Sequence, residues 1–428
     1  MSDLPFFFKR NRENWLLLSL FLLILLFVLS QPPLYSPDTY SYLRASFARF
    51  PGYVLFLRGL EFLFGRYFDM VAVLIQALFS FFGIYILYRN LSALLSLSVV
   101  ARLFLVAILI FPFFPPIEVA NNLTSEGITY ALYLLAFSFA CDFLFKNEPR
   151  KLWHFSFVFL ALTLTRGQFV LFPILLVFLY FLKNRFQIFR KVHLTAILTL
   201  LLLPVVAGLL DSTYHALTHG YFVKTPYTFV NAVTLPLFVS QEGDAALFHN
   251  ADTRVLFEKS YARIDSLGLL SSEVAGGAMD KYMVFHEYFP VICNQNLHAQ
   301  GKTYFIKKYG VPHLNFIQTE LAAKEMFLTL VPQNFKKWGT LYLSGIVHGF
   351  QWVFILIFVL FVAVYSLWKT IVSFSTPWAF MSLASLLLLS NAFIVGIASH
   401  SIMRYLFYNY FLGFLLLILF FKKTTNRI

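Results

Sequence analysis

Apolar residues run along this chain in long blocks separated by short polar breaks, the first of them "WLLLSLFLLILLFVLS" at 15–30. A helix needs about 20 mostly apolar residues to cross a bilayer. By that rule further crossings are expected near 70–88, 101–116, 127–145, 194–210, 341–368, 377–398 and 404–421. The stretch 152–182 is longer than one crossing and has Arg166-Gly167 at its centre. "KNEPRK" (146–151) precedes it and "KNRFQIFRK" (183–191) follows it. Short basic loops favour the cytoplasmic side, so two helices meeting at Arg166-Gly167 place both loops inside. The pattern therefore predicts an all-α polytopic protein with about ten transmembrane segments and both termini cytoplasmic.

The polar breaks carry their own structure. In the first outer loop, 31–69, Ser36-Pro37-Asp38 is a helix start: a capping serine, a proline at the first helical position and an acid in the first turn. Continued as a helix, Asp38, Tyr42, Ala45 and Arg49 share one face, and Leu43, Phe47 and Phe50 another. That makes an interfacial helix with its apolar side on the membrane. The long loop 211–340 is too long for a connector and is expected to fold as an outer helical domain. Its end, 314–343, reads as an amphipathic helix lying in the interface. The expected organisation is a transmembrane module 1–210 whose first outer loop is catalytic, a loop domain 211–340, and C-terminal membrane helices 341–428.

Composition agrees: 59% of the 428 residues are hydrophobic, 12% are charged, and the mean hydropathy is +0.74. The net charge of +13 is assigned to cytoplasmic loops and not to nucleic-acid binding, because Lys9, Arg10, Arg12, Lys146, Arg150, Lys183 and Arg190 all fall on the inner side of the predicted topology. The two cysteines, Cys141 and Cys293, imply no disulfide framework. There is no phosphate-binding glycine loop, zinc-type Cys/His spacing or serine nucleophile elbow. The lack of an internal repeat counts against a transporter.

Outside the long loop, every basic residue on the outer side is arginine: Arg44, Arg49, Arg58, Arg66, Arg166 and Arg404. Snorkelling at helix ends accounts for such residues. So does bidentate binding of phosphate or carboxylate. The outer helix ends also gather Asp38, Glu126 in "TSEGITY", and His400, Arg404 and Tyr405 in "ASHSIMRYLFYNY". Ionisable groups at membrane depth are functional candidates by default. Acids and arginines together suit a substrate with a lipid tail, a phosphate and a group to transfer. Capping explains Asp38 alone, and a first-turn acid explains Glu126 alone.

With its aspartate just after the first helix, "SPDTYSYLRAS…ARFPGYVLFLRGL" resembles the first outer loop of the GT-C glycosyltransferases, in particular bacterial relatives of protein O-mannosyltransferases and aminoarabinose transferases. "TSEGITYAL", "LTLTRGQFVLFP" and "MRYLFYNYFL" resemble further segments of that family. The resemblance implies a bacterial inner-membrane hexosyltransferase that takes a sugar from a polyprenyl-phosphate carrier on the outer face. The acceptor would be a glycan, lipid or protein. Asp38 would be the catalytic base, with Arg49, Glu126, Arg166, His400, Arg404 and Tyr405 binding substrate and arginines holding the lipid phosphate. The family's paired acids are reduced here to the single Asp38, so no cofactor is assigned and a divalent metal is left open. Two other readings remain: a polysaccharide polymerase or ligase with a pyrophosphate-linked donor, and a transporter or flippase of lipid-linked sugars.

Overall fold

The computed structural model describes residues 4–425, with side-chain burial described for 12–422. The described residues form helices and no strand. In chain order the α-helices are α1 (Leu4–Ser30), α2 (Pro37–Leu43), α3 (Pro51–Phe64), α4 (Phe68–Leu94), α5 (Val99–Ile110), α6 (Glu126–Phe145) and α7 (Lys151–Thr165). Then come α8 (Phe172–Asn184), α9 (Lys191–His219), α10 (Thr228–Ala232), α11 (Thr234–Phe238), α12 (Ala251–Asp265) and α13 (Ala278–Pro290). The last are α14 (Ala299–Tyr309), α15 (Leu314–Gln333), α16 (Phe335–Gly349), α17 (Val353–Val372), α18 (Thr376–Ala398), α19 (Met403–Leu406) and α20 (Tyr410–Thr425).

Eight spans among the described residues are long and apolar enough to cross a membrane. Val99–Phe113 and Lys151–Thr165 are apolar but shorter. Many of these helices turn large apolar side chains outward: Leu18, Leu22 and Leu26 on α1, Leu198, Leu202 and Val205 on α9, and Phe354, Phe361 and Val364 on α17. Water would penalise such faces and lipid does not. The chain is a polytopic membrane protein.

Two compact units divide the chain. Of the described residues, the first holds 4–46, 50–204 and 417–425. Its centre is α6, which packs against α4, α7 and α8 and is buried along most of its length, from Glu126 through Thr129, Tyr133 and Phe137 to Leu144. Small and polar residues allow this close packing. Asn90 of α4 donates to the carbonyl and hydroxyl of Ser138 at 2.8 Å each, and a Cβ on Gly83 would stand 3.2 Å from the Ala131 carbonyl.

The second unit holds 205–416 together with 47–49. Its loop portion, between α9 and α17, packs helices around Leu237, Phe238, Phe257, Phe285, Met326 and Leu330. Glu320 of α15 accepts the backbone N–H groups of Phe229 and Val230 at 2.8 and 3.0 Å, which supplies the start of α10 with acceptors. A Cβ on Gly301 would overlap Thr319, so glycine is what lets α14 and α15 approach.

Three sequence expectations need correction. The first interfacial helix is only α2: it ends at Leu43, and Ala45 stands at φ +47°, so Arg49 shares no helix face with Asp38. The segment 341–368 is two helices, broken between Gly349 and Val353 with Gln351 at φ +65°. The amphipathic stretch 314–343 is also two helices, α15 and α16, meeting at Asn334. Positions 210/211 and 340/341 lie within α9 and α16.

Candidate functional site

In the first unit, residues from five distant segments meet at one end. Proline at the first position starts α3, and Gly52 follows. A Cβ on Gly52 would lie 2.6 Å from the Thr165 hydroxyl and 2.9 Å from the Leu164 carbonyl, so the glycine seats the start of α3 on the last turn of α7. Tyr53 is fully buried and donates to Gln76 at 2.9 Å. Gln76 in turn donates to the Ala120 carbonyl at 2.8 Å, and its side chain fills the space a Cβ on Gly127 would need. Leu34 and Asn122 form a β-bridge. Arg166 itself is extended (φ −157°, ψ 117°), and Gly167 faces the Phe50 ring.

This framework surrounds an ion pair. Arg166 Nη1 lies 2.6 Å from Glu126 Oε1, with side-chain exposures of 13% and 3%. The same guanidinium group is 3.4 Å from the Ser125 hydroxyl. Such a pair is held by its mutual attraction, because removing either member would leave a charge in a place poor in water. Glu126 therefore serves Arg166, and a phosphate would meet a guanidinium whose charge is already shared.

Asp38 is the second residue of α2 and is half-buried. The cap is closed by others: the Ser36 N–H donates to the Thr39 hydroxyl at 3.0 Å. Ser41 donates its hydroxyl to the Asp38 carbonyl at 2.7 Å. Helix capping is thus carried by Ser36 and Thr39.

The remaining expected site residues lie in the second unit. Arg49 is half-buried, two residues after the buried Phe47. Arg404 sits in α19, and the Tyr405 carbonyl accepts from Asn391 at 3.1 Å. His400 packs its ring 4.2 Å from Phe289 and 4.9 Å from His286, which is itself 4.7 Å from His348. Burial first, and then the neighbouring imidazoles, lower the pKa of His400 to about 3. At neutral pH it is an uncharged imidazole and not an anion-binding cation.

Sequence reasoning missed a second histidine group. Asp211, His215 and His219 recur every four residues along one face of α9. His215 Nδ1 is 3.1 Å from His219 Nδ1. Thr225 donates its hydroxyl to Asp211 at 2.8 Å and lies 3.1 Å from His215 Nε2. The Phe47 ring stands among His215, His219 and His313 at 4.8, 4.7 and 5.4 Å. The four-residue spacing was a readable signal, but it sits at the end of an apolar block and was absorbed into the span.

Among the described residues, no group of three or more His, Cys, Asp or Glu side chains is arranged to hold a metal ion. In the first outer loop Asp38 lies on α2, and Asp69 accepts from the Tyr35 hydroxyl at 3.1 Å. No family model, curated protein or solved structure matches the chain.

Proposed function

We propose that this protein is a GT-C-type membrane glycosyltransferase, which transfers a sugar from a polyprenyl-phosphate carrier to an acceptor hydroxyl on the outer face. The observation that carries the reading is the meeting of "FPGY", "TSEG" and "LTRGQ" at one end of the first unit. These segments are separated by tens of residues in the chain, yet they interlock through Gly52 and Thr165, Gly167 and Phe50, and Glu126 and Arg166. They are also the segments whose residue types suit lipid-phosphate chemistry.

In this reading the chain crosses ten times, with Val99–Phe113 and Lys151–Thr165 added to the eight longer spans. Alternating crossings then put the loops at 146–150 and 185–190 inside. They put Asp38, the start of α6, Arg166 and Arg404 outside. Both termini face the cytoplasm.

The chemistry is a direct displacement. The Asp38 carboxylate takes the proton of the acceptor hydroxyl as that oxygen bonds to the anomeric carbon. The bond from that carbon to phosphate breaks, and the electron pair leaves with the polyprenyl phosphate. The configuration inverts, and no covalent enzyme intermediate forms. Arginine forks bind the departing phosphate. Glu126 holds the Arg166 guanidinium in one orientation.

Mass spectrometry of lipid extracted from the purified protein tests the donor. A polyprenyl monophosphate or its monoglycosyl ester is expected. An oligosaccharide pyrophosphate lipid would transfer the case to a polymerase or ligase. Unmodified phospholipid alone would remove the donor on which the reading depends.

A further inference from the structure

A groove outside the candidate site runs between α1 and α4 in the first unit. Leu17, Leu18 and Phe21 form one wall and Phe81 and Phe82 the other, around a space of about 340 Å³. Its floor is buried: Phe21 stacks on Phe81 with centroids 4.8 Å apart and the rings 9° from parallel. Its lips, Leu18 and Phe82, are exposed. The lining descends α1 from Phe21 to Asn14 as it climbs α4 from Phe81 to Tyr85. The helices therefore run antiparallel here, and the polar groups of Asn14 and Tyr85 share one mouth.

That mouth is cationic. Arg89, one turn beyond Tyr85, donates Nη1 to the Tyr85 hydroxyl at 2.9 Å, and its guanidinium carbon lies 5.6 Å from the Tyr85 ring centroid. Among the described residues no carboxylate pairs with Arg89. Glu13, the one acid of α1, is 2.9 Å from Arg102 of α5. Arg12 is exposed on the same end of α1, and Trp15 beside it is 67% exposed. An exposed tryptophan followed by exposed leucines marks headgroup depth. From Asn14 to Phe21 is about 10 Å of helix, within one leaflet of a hydrocarbon core about 30 Å thick. That length suits an acyl chain, which ends inside its own leaflet, and not a polyprenyl chain, which outruns it. Asn14 also stands about 24 Å along α1 from Ser30, where the chain leaves for Asp38.

We propose that this groove binds one anionic diacyl phospholipid of the leaflet at the start of α1. One acyl chain lies between the two walls, and the phosphodiester meets Arg89. The guanidinium fork takes two phosphate oxygens. Tyr85 accepts from Arg89 and keeps its own proton to donate to a glycerol-ester carbonyl. Arg12 adds a second positive charge, so a headgroup with net negative charge is preferred to a zwitterion. The site stands on its own geometry and is independent of the transferase reading, which concerns the other end of α1.

Native mass spectrometry of the purified, delipidated full chain tests the site by titration. The ligands are dioleoyl phosphatidylglycerol, dioleoyl phosphatidylcholine and a polyprenyl monophosphate, with inorganic phosphate as competitor. One phosphatidylglycerol should bind, about tenfold more tightly than phosphatidylcholine, as two nearby cations require. Arg89→Gln should weaken phosphatidylglycerol about tenfold, the scale of a lost charge-assisted contact. Tyr85→Phe, which keeps the groove wall and removes the hydroxyl, should weaken it about threefold. Phe82→Ala should weaken both phospholipids alike. Arg190→Gln, on the exposed turn before α9, should bind as the parent. Phosphatidylglycerol binding unchanged in folded Arg89→Gln and Tyr85→Phe overturns the site, as does equal affinity for the two phospholipids. Displacement by inorganic phosphate overturns the groove's part in binding. Tighter, Arg89-dependent binding of the polyprenyl monophosphate overturns the phospholipid and assigns the groove to a carrier chain.

Discussion

Glu126→Gln is the most informative perturbation of the first unit. It keeps the size of the side chain and removes one charge from a pair whose members are 3% and 13% exposed. Arg166 then loses its 2.6 Å carboxylate partner at a place where water reaches poorly. Breaking a buried pair from one side costs about 3–5 kcal/mol, more than the pair contributes net, because the remaining ion pays its full desolvation. The 13% exposure of Arg166 argues for the lower end, about 3 kcal/mol. Replacing both, as Glu126→Gln with Arg166→Met, removes the stranded charge and should recover most of that loss. Thermal or urea unfolding in a fixed detergent measures all three proteins. Donor binding separates structure from function: the double variant should be stable and bind lipid phosphate poorly. A Glu126→Gln protein with an unchanged midpoint would refute the claim that this pair is desolvated. A double variant as unstable as the single one would show that the pair does more than neutralise itself.

Three further outcomes follow from particular contacts. Gly52→Ala should destabilise by about 1–3 kcal/mol, since its Cβ would press on the Leu164 carbonyl, while Gly59→Ala on the same helix, with nothing within 4 Å, should be neutral or slightly stabilising on unfolding. Single cysteines in intact cells should react with an impermeant thiol reagent at Val170→Cys but not at Glu148→Cys or Gln187→Cys; the native Cys141 and Cys293 are buried and should stay silent. Stability of the second unit should fall on mild acidification: the folded pKa values of His298 and His400, about 4 and about 3, lie below the unfolded value near 6.5, so their contribution is complete above pH 6.5 and is lost as pH falls toward 4 and 3. Each histidine should tilt stability by about 1.4 kcal/mol per pH unit in that window, and His298→Gln should flatten the slope.

The sequence was most legible where one local signal governs. The break at Arg166 was readable because basic loops on both sides forbid a single crossing, and α7 does end at Thr165 with Arg166 extended. The start of α2 was readable from Ser36 and Pro37. Its end was not: Ala45 takes a left-handed backbone that alanine composition does not announce, and with it went the helical face joining Asp38 to Arg49. The break after Gly349 was hidden for the same reason, because Gln351 carries the turn. Glu126 and Arg166 could each be named from their positions, but their pairing depends on α6 and α7 lying side by side. The Phe47 and histidine group depends on still longer-range packing: Phe47, His215 and His313 are far apart in sequence, and nothing in the alternation of polar and apolar residues links them.

The central claim concerns what the carboxylate of Asp38 does, and Asp38→Asn tests it most directly. The change keeps size and shape and removes the basic oxygen, while Ser36 and Thr39 still close the helix through their 3.0 Å contact. Insertion, thermal midpoint and lipid-phosphate binding should match the parent. Transfer of sugar from the extracted lipid donor, followed as released polyprenyl phosphate, should fall roughly a hundredfold or more, as for loss of a general base. An Asp38→Asn protein that folds normally and transfers sugar at the parent rate would contradict the mechanism.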